Sequence, residues 1–346
     1  MEFRTFVKCE PSVCQLDYDN SMLLMGSCFT ENIGQKLKYF RFRTEINPYG
    51  IVYNPLSVAN VLKMLEEGRR FTEKDLWENQ GKWVSFYHHG SFAALGKEEC
   101  LQGINTRLAQ AAAFLKQTDY LLITFGTAWV YRHRATGIIV SNCHKFPGTD
   151  FERFRLSAEE IVQLYQPLLA GLRERNPRLK VIFTVSPIRH WKDGAHANQV
   201  SKAILLLATE ALCRYVPQTY YFPAYEILMD ELRDYRFYAD DMLHPSSVAI
   251  EYIWEKFRDT WIAPRIYDLM RRIDKLNKSL AHRPFLAESA EYLNFKKRLS
   301  EEIQALKKEN QNIWFGSDEL SSSNSSVTFS SAMEDKRRSM SSAACS

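Results

Sequence analysis

No run of eighteen apolar residues occurs anywhere in this 346-residue chain, so its sequence offers no candidate for a membrane-spanning helix. The opening residues lack the uninterrupted apolar core of a signal peptide, and export is not expected. Cysteines are few: seven, an odd number, scattered without paired spacing in a chain large enough to build a core without staples. They are read as reduced thiols of a cytoplasmic protein. Neither sign of charge dominates, since 45 Lys and Arg face 41 Asp and Glu. A formal charge of +4 is too small to suggest a nucleic-acid or membrane footprint. The glycines fit neither G-x-G-x-x-G nor G-x-x-x-x-G-K, so no nucleotide cofactor is expected. His88, His89, Cys143, His144 and His190 lack C-x-x-C or H-x-x-x-H spacing, and no metal is expected either. No repeat of twenty to fifty residues appears, which sets solenoids and propellers aside.

What is present is a strand-then-helix rhythm in a chain whose 45% apolar content is that of an ordinary folded protein. Short apolar runs at 21–25, 120–125, 179–185 and 219–222 have the character of strands covered on both faces. Segments at helical spacing follow them at 33–40, 56–65, 158–172, 201–216 and 248–261. This alternation predicts an α/β fold, a parallel sheet between two helix layers. Residues 129–140 read as a hairpin turning near Gly137, inserted beside the sheet's C-terminal edge. Beyond Pro264 the pattern is purely helical, in two helices suited to packing back on the domain or to self-association. The Ser-rich end has few large apolar side chains and is expected to be disordered. The predicted organisation is therefore a domain over 1–262, a helical extension over 263–316 and a disordered tail over 317–346.

The segment from Met22 to Gly34 is the most informative: an apolar strand, then Gly26-Ser27, then a cap-like Thr30 before a helix. Ser27 is placed at the sheet's C-terminal edge, where open α/β sheets bind ligands, beside a helix N-terminus that favours developing negative charge. It is a candidate nucleophile; the plainer reading is a helix cap, and Cys28 is a competitor. A serine nucleophile needs a base to take its proton and a third group to hold that base. Two D-x-x-H pairs are available, Asp193 with His196 and Asp241 with His244. The second is preferred because Pro245 and the following serines set a helix start just after His244, whereas the first sits in a Gly-containing loop with less rigid flanks.

Taken together, Gly26-Ser27-Cys28-Phe29, Asn47-Pro48-Tyr49-Gly50, Phe125-Gly126-Thr127-Ala128-Trp129, Asn142-Cys143-His144-Lys145, Ser186-Pro187-Ile188-Arg189-His190 and Asp241-Met242-Leu243-His244-Pro245 resemble the GSCFA family. That family is similar to the SGNH/GDSL hydrolases. The resemblance runs from about residue 20 to residue 260. It implies a three-layer α/β/α flavodoxin-like fold and a serine-dependent ester hydrolase without cofactor, with Ser27 as nucleophile, His244 as base and Asp241 as its orienting acid. It also implies an oxyanion hole from the N–H groups of Ser27 and Gly50. Where the wider superfamily has Gly-x-Asn, this chain has Gly126-Thr127-Ala128, so Asn142 or Asn54 is the expected substitute for the missing amide. Thr127, His144, Arg189 and His190, with nearby aromatics such as Phe86, are expected to line a pocket for a small-molecule or carbohydrate-borne ester. Two other readings share the fold: an O-acyltransferase using the same triad, and a binding module with weak catalysis.

Overall fold

The computed structural model describes residues 4–281 and 290–314. In chain order it begins with β1 (Ser21–Gly26), α1 (Cys28–Tyr39), β2 (Arg43–Ile46), α2 (Pro55–Glu67), β3 (Trp77–Asn79), β4 (Lys82–Val84), α3 (Lys97–Leu115) and β5 (Tyr120–Phe125). There follow β6 (Trp129–His133), β7 (Ile139–Val140), β8 (Phe151–Arg155), α4 (Ala158–Arg175), β9 (Lys180–Val185), α5 (Gly194–Tyr215) and β10 (Thr219–Tyr221). The short α6 (Ala224–Glu226), α7 (Ser247–Trp261), α8 (Tyr267–Leu280) and α9 (Ala290–Glu309) complete it. The central sheet has the order β10-β9-β5-β1-β2 with every neighbour parallel. Among these five strands the chain order is 2-1-3-4-5, that of flavodoxin-like folds.

Strand alternation sends side chains to two helix layers. On β1, Leu23 and Met25 join one core with residues of α2, α3, α4 and α5, such as Leu62, Ile104, Leu169 and Leu205. Met22 and Leu24 join the other, with Ile33 and Leu37 of α1 and Ile253 and Phe257 of α7. The chain is thus an α/β/α protein with a parallel sheet. The four apolar runs form β1, β5, β9 and β10 as expected. The edge strand β2 carries Arg43 and Glu45 and has no apolar run to betray it. The expected hairpin is β6–β7, and β8 adds a third strand on the other side of β6.

Helix α1 starts earlier than its apolar spacing suggests. Ser27, not Thr30, is its cap, and Thr30 is buried inside the first turn. Helix α8 packs back on the domain: Met270, Ile273 and Leu276 enter the core shared with α1 and α7, as do Leu306 of α9 and Ile313. Asn277 clamps the last turn of α1, donating to the Tyr39 carbonyl at 2.6 Å and accepting from Arg41 at 2.8 Å. The tail expected over 317–346 lies outside the described residues. No described helix is long and apolar enough to cross a membrane.

Gly26 fixes the end of β1. Its φ is +141°, and a Cβ there would lie 2.2 Å from the Thr124 carbonyl oxygen on β5. Gly26→Ala must therefore strain the backbone or part the two central strands, at a cost of about 2 kcal/mol or more. Thermal unfolding should show a melting point several degrees lower; an unchanged one would contradict this packing.

Candidate active site

Because all five strands of the central sheet run the same way, the turns after β1, β2, β5 and β9 gather at one edge. Ser27 is the first residue past β1, extended at φ −72° and ψ 176°, with its Oγ accepting the Phe29 N–H at 3.2 Å. It caps α1 and stands at the positive end of the helix dipole, so the capping and nucleophilic readings apply to one geometry. The residue is buried, 4% exposed. Cys28 is the first residue of the helix and half-buried.

The Asp241–His244 pair is assembled. Met242 adopts φ +59°, which folds the loop so that Asp241 Oδ1 accepts the N–H groups of Leu243 and His244, each at 2.9 Å. Asp241 Oδ2 then takes the Nδ1–H of His244 at 2.5 Å. Partial burial raises the Asp241 pKa, but the two N–H donors and the imidazole outweigh it and hold the carboxyl below its usual range. With Nδ1 engaged, Nε2 is left as the proton acceptor. The loop leans on the turn after β9: the Arg189 guanidinium donates to the Met242 carbonyl, and the Arg189 N–H reaches Leu243 O at 3.5 Å. The dyad and Ser27 thus share the sheet's C-terminal edge, with no hydrogen bond yet joining the serine hydroxyl to the imidazole among the described residues.

The rival pair is not a dyad. Asp193 forms an ion pair with Arg153 from β8, and His196 is exposed in the first turn of α5, not on a loop. Gly194, read as a loop glycine, is the first residue of that helix.

Two of the expected oxyanion donors, the Gly50 N–H and the Asn54 amide, are committed elsewhere. The Gly50 N–H donates to Asn47 O at 2.7 Å, closing a turn in which Gly50 has φ +73°. Asn54 is the cap of α2: its Oδ1 accepts the Ser57 N–H at 2.8 Å and its Nδ2 donates to Ser57 Oγ at 2.9 Å. Asn142 accepts the His144 N–H at 2.8 Å and holds a turn in which His144 and Lys145 both have positive φ. The Ser27 N–H makes only a long contact, 3.4 Å, to Thr124 O.

The expected pocket residues divide. Thr127 is 5% exposed and shares a 3.0 Å hydrogen bond with Ser201 of α5. His144 bonds Ser85 O through Nε2 at 2.8 Å; burial, with the nearby His89, lowers its pKa. Phe86 is fully buried in a small core with Val140 and Phe151, packing the insertion and not facing a ligand. His190 does belong to the edge. Its Nε2 would lie 3.1 Å from a Cβ on Gly126, and its ring is 5.4 Å from that of Tyr53. Burial first, then the electrostatic effect of Lys202, His244 and Arg153, pushes His190 down to about 3, so it is neutral at pH 7. Arg189 lies over the rings of Trp191, Tyr235 and Tyr238 at 4.7–5.6 Å.

His89, weighed from the sequence with the other histidines, packs against Gly50, and its pKa, lowered by burial, is raised in part by Glu31 from the first turn of α1. Sequence reading missed the roles of two groups. Asn47 Oδ1 accepts the Gly26 N–H at 2.9 Å, one residue before Ser27. Lys202 on α5 donates to Gly126 O and Ser186 O, each at 2.7 Å, from a fully buried position. A lysine at an apolar position of a helical stripe was the one available signal for the last. Among the described residues no group of three or more His, Cys, Asp or Glu is placed to hold a metal.

The capping geometry makes a direct prediction. Asn54→Ala should lower stability by about 1 kcal/mol, the usual cost of a lost cap. Any turnover the protein shows should stay within a few-fold. A loss of turnover with unchanged melting would restore Asn54 to the oxyanion hole.

Eight solved chains are similar to this one, among them two at low identity. One, provisionally described as a platelet activating factor from Streptococcus pneumonia, is 13% identical, covers 72% of this chain and 83% of its own, and has a TM-score of 0.37. The other, a family 3 carbohydrate esterase of Clostridium thermocellum, is 8% identical, covers 73% and 97%, and has a TM-score of 0.33. No curated protein matches. The model of the GSCFA family matches residues 21–257, from β1 to the end of α7, and that of the GSCFA domain protein C-terminal domain matches residues 273–328. This chain belongs to the GSCFA family.

Proposed function

We propose that this chain is a serine esterase of the SGNH/GDSL kind, acting on a small-molecule or carbohydrate-borne ester. The observation that carries this reading is the Asp241–His244 dyad, closed at 2.5 Å, at the same sheet edge as a serine at a strand-to-helix junction. Ser27 Oγ attacks the ester carbonyl while His244 Nε2 takes its proton. The tetrahedral intermediate expels the alcohol oxygen, which leaves with that proton, and an acyl-serine remains. Water then attacks the acyl-serine by the same relay, releasing the acid and restoring Ser27. Asp241, held as a carboxylate by its N–H donors, keeps the imidazole in the tautomer that accepts at Nε2. The hydrogen bond between Ser27 and His244 closes as substrate binds; such bonds are commonly long in ligand-free enzymes.

A fluorophosphonate probe tests the reading on the full chain. Wild type should be labelled and Ser27→Ala should not; a folded, unlabelled wild type would reject a serine hydrolase. With an activated ester, Asp241→Asn should keep the fold and lower kcat by roughly 10⁴-fold, the loss seen when a triad acid is neutralised. His196→Ala should stay within a few-fold of wild type, and the opposite ranking would move the base to the other pair.

A further inference from the structure

Lys202 is the least expected side chain in the molecule. It is 1% exposed, sits on α5 facing the sheet, and no carboxylate reaches it among the described residues. Burying an ammonium costs several kcal/mol unless its protons are bonded. Here two of them are, to the carbonyls of Gly126 and Ser186, the residues immediately past the ends of β5 and β9. Burial lowers its pKa to about 7. The two strands pair up to Phe125 and Val185, and Ser186 N–H still reaches Phe125 O at 2.8 Å. One step further the ladder stops, and the lysine takes the carbonyl of each strand.

That bond orients a peptide. In a trans peptide the C=O and N–H are antiparallel, so turning the Gly126 carbonyl to α5 turns the Thr127 N–H away from α5. Ser201, one residue before the lysine, holds the next link by accepting the Ala128 N–H at 2.8 Å and bonding Thr127 Oγ1. Gly126 is itself fixed from the other side: its N–H donates to Tyr53 O at 2.7 Å, and a Cβ on it would press on Tyr53 and His190. Among the described residues no acceptor takes the Thr127 N–H. This free donor lies at the end of β5, the strand whose Thr124 pairs with Gly26, one residue before Ser27.

We propose that Lys202 is a positioning residue of the oxyanion hole, turning the Gly126–Thr127 peptide so that the Thr127 backbone N–H donates to the oxyanion formed at Ser27. The backbone amide then does what a side-chain amide does where Gly-x-Asn follows this strand, in a chain whose Gly50 N–H and Asn54 amide are already engaged. The inference rests on the serine-esterase reading and adds to it the source of the missing donor.

The test uses the purified full chain with p-nitrophenyl acetate and the fluorophosphonate probe. Lys202→Met keeps the stem and removes the donors. It should lower kcat by about a hundredfold, the loss typical of one oxyanion donor, with KM within three-fold. The rate of fluorophosphonate labelling should fall in parallel. A second variant replaces Thr127 by its α-hydroxy acid, converting the 126–127 amide to an ester that lacks the N–H while Lys202 stays. It should show the same split between kcat and KM, and it decides the matter should Lys202→Met fail to fold. Folded variants with wild-type kcat, beside a labelled wild type, would overturn this inference and leave the serine esterase standing. An unlabelled wild type would overturn both. A rise in KM with kcat intact would assign Lys202 to ground-state binding and also reject the proposal.

Discussion

Parallel pairing across the central sheet is the constraint from which the rest of the molecule follows. Five strands pointing the same way deliver the turns that follow them to one edge, so residues as far apart in sequence as Ser27, Gly126 and Ser186 stand at the same end of the sheet. The same pairing, with helices on both faces, demands that the central strands be apolar on both sides, which is why β1 and β5 are buried along their whole length. It also demands that the edge turns be tight. Gly26, with its carbonyl neighbour on β5 too close for any side chain, is the place where sheet geometry and site geometry are the same requirement.

The edge is crowded with polar groups that serve structure first. Asn54 starts α2, Asn142 closes the turn after the hairpin, and Asn47 completes the hydrogen bonding of β1 by accepting from Gly26. A buried N–H left without a partner costs about 1–3 kcal/mol, so the oxygens of these three side chains are drawn to backbone N–H groups, while the Asn47 Nδ2 is buried without a partner among the described residues. Asp241 shows the other outcome. Two backbone N–H groups and the Met242 turn organise its carboxylate, and the second oxygen is left to aim the imidazole. The local turn and the orientation of His244 are one device.

Much of this was legible in the sequence. The apolar runs of β1, β5, β9 and β10 declare buried parallel strands because nothing else in a chain of this composition requires such runs. The Pro245-Ser246 start of α7 marks where the His244 loop must end, since Ser246 caps that helix. What stayed hidden has physical reasons. β2 lies at the sheet's edge and carries charged residues, so it lacks a continuous apolar run. Helix α3 alternates small and polar residues and buries only a narrow stripe. The roles of Gly50, Asn54 and Lys202 depend on which carbonyl or N–H lies opposite them in space, and residue type alone does not carry that information. The departure at Thr127-Ala128 was visible in the sequence; its compensation was not.

Helix α1 joins two features that sequence keeps apart. Ser27 caps its first turn, while Asn277 and the Trp314 N–H grip Tyr39 and Arg41 at its far end. Twelve residues of helix separate them, a rod of roughly 18 Å at 1.5 Å per residue. The contacts made by Asn277 and Trp314 are therefore at the opposite end of this helix from Ser27. Asn277 of α8 and Trp314, just after α9, thus anchor one end of a rod whose other end is capped by Ser27, and the two ends of the chain's described part meet on a single helix.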